Sequence, residues 1–356
     1  MTDSRITQLA SILVSHSVKV SQGEKVWIKL TSFAGLELAK EVYKQVVQAG
    51  GVPHLDIGVE QLSSFFYREA SDAQLAYPPQ IAEFLARWAD KSITIVADQN
   101  TRELADAPVD RIMARSKLLK PIRDISIKKP WVLVYAPTPA MAQDAGMSLE
   151  AFEDFFFDAC NRDWSKDVKK LKNLADLLSS CSTVQIIGEH TNLSMKTKGR
   201  VWIPCAGEYN MPDGEVFTAP QEDTVEGHVF FEYPLLRQGK VIRDIQLWFE
   251  KGQVVRAQAS DNLATLEAML DTDAGARRLG EIAIGMNPMI QRYMYNTLFD
   301  EKMAGTVHMA LGQAYEECNG TNTSAIHVDI VKEMKTKGSQ VIADDRVIMQ
   351  DGVIAL

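Results

Sequence analysis

The spacing of apolar residues changes character about halfway along this chain. Ile6, Leu9, Leu13 and Val14 fall on one helical face, predicting a helix over 4–18. KVWIKL (25–30) reads as a strand. Residues 35–49 follow as a helix with Leu36, Ala39, Val42, Tyr43 and Val46 on one side, stopped by Gly50-Gly51. HLDIGV (54–59) is the next strand, and a helix near 81–88 leads into SITIVA (92–97), a β-branched run suited to a buried parallel strand. A further helix over 109–119 precedes WVLVY (131–135) and the breaker Pro137-Thr138-Pro139. Strand–helix alternation of this kind predicts an α/β unit with an open, mostly parallel sheet. Residues 148–180 are helical in pattern throughout, with aromatics at Phe152, Phe155, Phe156 and Phe157 that suit a core.

From residue 182 the pattern becomes one of short strands: VQIIG (184–188), VWIP (201–204), HVFFEY (228–233) and QLWF (246–249). Turn signals separate them at Arg237-Gln238-Gly239-Lys240 and Glu250-Lys251-Gly252-Gln253, the second joining a hairpin. A last hairpin is expected from 341–343 to 353–354 through Gln350-Asp351-Gly352, and helices near 263–270 and 274–283. The expected organisation is an α/β scaffold domain with a helical link (1–180), then a mostly β (α+β) domain (181–356).

Composition narrows the function. With 356 residues, 46% hydrophobic and 24% charged, the chain has the make-up of an ordinary globular protein with sizeable cores. Its net charge of −9 argues against nucleic acid or an anionic membrane as partner. No apolar run approaches a membrane span and no secretory signal opens the sequence, so a cytoplasmic location is expected. Cys160, Cys181, Cys205 and Cys318 lie far apart with no CxxC pair, which fits isolated reduced thiols. Neither G-x-G-x-x-G nor a P-loop occurs, and Asp98 and Asn100, after the 92–97 strand, suit helix capping better than nucleotide binding.

The chemistry concentrates in GTVHMALGQAYEECNGTNTSAIHVDIV (305–331), which holds two of the chain's six histidines, His308 and His327. Tyr315 and Asp329 complete an imidazole, phenol and carboxylate set that zinc, cobalt or manganese accepts. On a strand His327 and Asp329 would point the same way. A site with an open position needs at least three protein ligands, and a two-metal site needs more, with one carboxylate shared. Glu215 follows a Pro-Asp-Gly turn at the head of an apolar strand, and Glu281 sits among apolar residues and glycines. A carboxylate in such company is rare unless paired or bound to a cation.

NMPDGEVFTAP (210–220), DTDAGARRLGEIAIG (271–285), NTLFDEKMAGTVHMALGQAY (296–315) and SAIHVDIV (324–331) together resemble the aminopeptidase T and aminopeptidase S family of metallopeptidases, over much of the second half. The resemblance implies two divalent cations (zinc, cobalt or manganese) held by Glu215, Glu281, His308, Tyr315, His327 and Asp329. It also implies a homodimer. Val328 departs from the large aromatic expected between the last two ligands, and the chain is shorter than is typical.

Two such cations can lower the pKa of a shared water while one of them holds the free α-amine of a peptide, which favours cleavage at the N-terminus. Glu281 is the expected bridge. Glu215 is a ligand or proton shuttle, and Tyr315 a ligand or hydrogen-bond donor to the oxyanion. His190, His228, Asp213 and Glu226 are left to structural roles. The expected activity is removal of neutral or hydrophobic N-terminal residues from peptides with a free N-terminus. The alternatives are a dipeptidase or small-molecule amidase on the same metals, or a catalytically silent binding homologue.

Overall fold

The computed structural model describes residues 3–237 and 240–355, so Gln238 and Gly239 of one expected turn lie outside the described residues. Two compact units make up the chain: Met1–Arg162 with Gly207–Pro212, and Asp163–Ala206 with Asp213–Leu356. The division falls before helix Trp164–Ser179 and not near residue 180. That helix buries Trp164, Leu171, Leu174 and Leu178, and it packs on strands of the second unit. A stripe at this spacing is a core face, so the helix belongs with the sheet it covers.

In the first unit β1 (Lys25–Leu30), β2 (Val52–Ile57), β3 (Lys91–Val96) and β4 (Trp131–Tyr135) run parallel in the order β2-β1-β3-β4. The short strand Asn210–Met211 adds in parallel beyond β4. Central strands β1 and β3 bury Val26, Ile28, Leu30, Ile93 and Ile95, whereas edge strand β2 is largely exposed. Helix Leu36–Gln48 buries Leu38, Ala39, Val42 and Val46. Tyr43, expected on that face, is 41% exposed. The α/β expectation for this half matches the observed sheet.

The second unit is largely antiparallel. One sheet has eight strands and includes the expected hairpin of Ile245–Glu250 with Gln253–Gln258. At the chain's end Gln340–Ala343 pairs with Arg346–Gln350, which pairs with Val353–Ile354. Two hairpins thus replace the single one expected, because Asp344 adopts φ 49° and turns the chain early.

The other sheet carries the chemistry. It comprises β5 (Ile203–Cys205), β6 (Glu215–Thr218), β7 (Leu279–Gly285), β8 (Thr306–Gly312) and β9 (His327–Glu333), in the antiparallel order β9-β8-β7-β6-β5. The helix expected over 274–283 is therefore wrong in its second half. All seven residues of β7 are buried, as are all seven of β8. A strand covered on both faces is apolar at every position and fits either periodicity, so the pattern alone could not tell it from a helix.

Candidate metal centre

Register brings the expected donors to one face. Residues opposite each other in an antiparallel ladder share a side of the sheet, as do residues two apart. Glu281 lies opposite Ala310, which lies opposite Asp329; Ala283 lies opposite His308. Gly285 faces Glu215 across β7 and β6, and Gly312 faces His327 across β8 and β9. Neighbours of the donors on this face are thus glycine or alanine at several positions, which leaves room for the larger side chains.

The side chains converge around Glu281. Its Oε1 is 3.1 Å from His308 Nε2, and its Oε2 is 3.5 Å from His327 Nε2. Glu215 Oε2 approaches His308 Nε2 to 3.4 Å, and Asp329 Oδ1 approaches His327 Nε2 to 3.5 Å. One end of the cluster is therefore Glu215, Glu281 and His308, all buried, and the other is Glu281, His327 and Asp329. Tyr315, just after β8, stands at the second end with its ring centroid 4.9 Å from that of His327 and 5.7 Å from that of Phe217.

Both imidazoles are oriented from behind by a backbone carbonyl. Glu301 O accepts from His308 Nδ1 at 3.0 Å, and Gln313 O accepts from His327 Nδ1 at 2.7 Å. With Nδ1–H committed to a carbonyl, each Nε2 is the nitrogen turned towards the carboxylates, an arrangement that also suits metal ligation. Gly280 makes the second of these possible. It sits at a bulge between Leu279 and Glu281, and a Cβ there would lie 2.3 Å from Gln313 O and 2.4 Å from Gly312 O. Only glycine lets β7 pass beneath the carbonyl that holds His327.

Behind Glu215 lies a residue pair to which the sequence reading gave no role. Lys302 Nζ donates to Glu215 Oε1 at 2.6 Å and to Glu301 Oε1 at 2.7 Å, and Lys302 is 1% exposed. Both belong to the quoted NTLFDEKMAG stretch, where a charged triplet Asp300-Glu301-Lys302 a few positions before His308 was the available signal. Asp213 is wholly buried, and its Oδ1 accepts from Gly214 N. With Cys205 and Glu215 it forms a further group of close donors. Among the described residues no donor group includes His190, His228 or Glu226.

The electrostatics follow from crowding anions in a dry place. Burial alone would lower the His308 pKa, but its bond to Glu281 and the nearby Glu215 outweigh that and push it up to about 9. Burial likewise opposes the charge on His327, yet Asp329 and Glu281 raise it to about 10. Burial would raise Asp329, but the His327 imidazolium holds it below the usual carboxylate range. Desolvation, followed by Glu281 and Asp329, lifts the Tyr315 phenol well above its ordinary value. Without a metal, then, both histidines are proton-bearing countercharges to Glu215, Glu281 and Asp329.

The donor set fits a divalent cation. Glu215 Oε2 is buried with no hydrogen-bond partner, an orphaned acceptor in a place where such atoms are normally satisfied. Together with Glu281 and His308 it offers oxygen and imidazole ligands of the kind borderline metals accept.

A parallel-sheet unit followed by an antiparallel sheet bearing buried carboxylates and imidazoles marks a metalloenzyme, and comparison with known proteins says of which class. The family model described as thermophilic metalloprotease (M29) matches residues 2–353, and the chain belongs to that family. Aminopeptidase 2 of Geobacillus stearothermophilus is 28% identical over 381 residues, covering 92% of each chain. Aminopeptidase T of Thermus thermophilus is 40% identical over 136 residues, 34% of this chain and 33% of that one. The solved structure of wild-type AmpT from Thermus thermophilus has a TM-score of 0.87 at 22% identity, covering 99% of each chain. That of 2,5-dihydroxypyridine dioxygenase from Pseudomonas putida KT2440 reaches 0.63 at 14% identity, covering 100% of this chain and 98% of that one. These two likenesses concern the fold, and a shared fold does not carry chemistry with it. The family does: the chain is a hydrolase of the metallo-aminopeptidase family, and the silent-homologue and amidase alternatives are not favoured.

Proposed function

We propose that this metallo-aminopeptidase works with two divalent cations, zinc, cobalt or manganese, set on either side of Glu281. The observation that carries this reading is that the two oxygens of one buried carboxylate face two different histidines. Glu215 and His308 would complete one ligand group; His327, Asp329 and Tyr315 would complete the other. When bound, the cations would supply Lewis acidity and make a water nucleophilic near neutral pH.

The chain's own residues do the rest. The carbonyls of Glu301 and Gln313 keep both Nε2 atoms aimed at the centre, so little reorganisation is needed as charge develops. The carboxylates of Glu281 and Asp329 create a negative field at the partly exposed end, which favours a substrate arriving with a free α-ammonium group. A blocked N-terminus offers no such charge, which is the physical basis for exopeptidase action. The Tyr315 hydroxyl stands at the same end and is suited to donate a hydrogen bond to the oxyanion that forms at the attacked carbonyl. The apolar ring of Phe217 beside it favours neutral or hydrophobic N-terminal residues.

The same reading places the enzyme in the cytoplasm as a homodimer acting on peptides. No helix among the described residues is long and apolar enough to cross a membrane, and the net charge of −9 disfavours nucleic acid.

The test is hydrolysis of leucine p-nitroanilide and of matched peptides with free and acetylated N-termini. Activity should vanish with a chelator, return with cobalt, zinc or manganese, and be confined to the free N-termini. Fully active protein without metal, or cleavage of the acetylated peptides, would contradict the reading.

A further inference from the structure

Glu215 is held in an asymmetric way that Glu281 is not. Its Oε1 accepts a 2.6 Å hydrogen bond from the Lys302 ammonium, while Oε2 is buried without a hydrogen-bond partner, 3.4 Å from His308 Nε2. Lys302 is among the largest fully buried side chains of the protein. Its second bond, to Glu301 Oε1 at 2.7 Å, anchors it to the residue whose carbonyl orients His308. An ammonium so deeply buried is retained only where carboxylates compensate its lost hydration.

We propose that Lys302 is a positioning residue for the metal site: it occupies Glu215 Oε1 so that Glu215 offers only Oε2, as a single-oxygen ligand. Three features of the geometry support this. A carboxylate free at both oxygens can chelate one cation with both, which changes coordination number and removes an open position. The ammonium prevents that by taking one oxygen outright. Glu215 is also flanked by the buried donors Cys205 and Asp213, so an unpinned carboxylate would have a second place to turn. Finally, residues 301 and 302 are adjacent, so one short segment fixes His308 through a carbonyl and Glu215 through an ammonium. The inference rests on the reading of Glu215 as a ligand.

The experiment is a cobalt(II) titration of metal-free wild type, K302M and K302R, following the visible ligand-field bands and the affinity of each binding step. Loss of an outer partner of a ligand typically weakens a metal by about 10- to 100-fold. In K302M one step should weaken about tenfold or more with a changed band intensity, while the other stays within about threefold. K302R, which keeps a donor to Oε1, should restore the wild-type band. Identical affinities and spectra in wild type and K302M would overturn the role of Lys302. Should K302M fail to fold by circular dichroism, the double variant K302Q/E301Q removes one buried charge of each sign and is judged by the same criteria. Wild-type protein that takes up no cobalt defeats the reading of Glu215 as a ligand, a different failure from an unresponsive K302M.

Discussion

Both units contain a five-stranded sheet with covered central strands, yet the two sheets treat charge in opposite ways. In the first unit, β3 is KSITIV, and its deepest positions are Ile93 and Ile95. Its one buried cation, Lys91, pairs with Glu24 at the start of the strand. The carboxylate of Asp98, just past the strand, is raised by burial and by Glu60, and its backbone carbonyl accepts from Thr138. In the second unit, β7 and β8 put Glu281 and His308 in mid-strand at 4% and 1% exposure. A folded chain tolerates that only if something compensates, and without metal the compensation comes from protons on two histidines and from Lys302. One sheet is a scaffold; the other is an anionic cavity that lacks only its cations.

The widest separation between the sheets should come from the same carboxylate-to-amide change made in the second. Glu281→Gln keeps the shape of the shared group but removes its charge. It should lose at least one metal by elemental analysis and lower kcat by about a thousandfold, the scale of removing a preorganised electrostatic group. Near-normal turnover would sink the assignment of Glu281.

Next in size is the effect of pH on metal uptake. His308 and His327 carry folded-state pKa values raised to about 9 and about 10, above the ordinary 6.5. Their protons therefore stabilise the metal-free protein fully below about pH 6.5, and that contribution is lost as pH rises through 9 and 10. A metal must displace those same protons. Apparent affinity should rise with pH from 6.5 towards 9, by about tenfold per pH unit for each proton displaced. The gap in Tm between loaded and metal-free protein should widen over the same interval. Calorimetric titrations in buffers of different ionisation enthalpy would count the protons released, and a pH-independent affinity would remove the histidines from the site.

A smaller effect is expected at the bulge. Gly280→Ala drives a methyl group into the carbonyls of Gly312 and Gln313, costing about 1–3 kcal/mol of stability as overpacking does. Because Gln313 O holds His327, metal binding should weaken along with Tm. A variant with lowered Tm but unchanged metal affinity would separate the bulge from the site. Smallest of all, Asp98→Asn in the parallel-sheet unit should leave metal content unchanged and kcat/KM within about twofold. A large loss there would mean that the first sheet is more than scaffold.

The sequence made much of this legible, for identifiable reasons. Alternating strands and helices announced the parallel sheet because β-branched runs and glycine stops agree in marking its elements. The six donors stood out because carboxylates and histidines inside apolar strands are costly, and all six fall in one cluster. Strand β7 was misread because it is apolar on both faces, so its periodicity carries no information about helix or strand. Lys302 and Glu301 escaped notice because a Glu-Lys pair in sequence reads as a solvated surface; only the fold buries it behind Glu215. Gly280 likewise looks like an ordinary strand glycine until the Gln313 carbonyl above it is known.

The central claim is that Glu281 lies between two cations, and anomalous scattering from crystals of the metal-loaded protein tests it most directly. Two peaks are expected, one by Glu215 and His308 and the other by His327 and Asp329, each within ligand distance of one oxygen of Glu281. A single peak, or two peaks with Glu281 bound to only one of them, would contradict it.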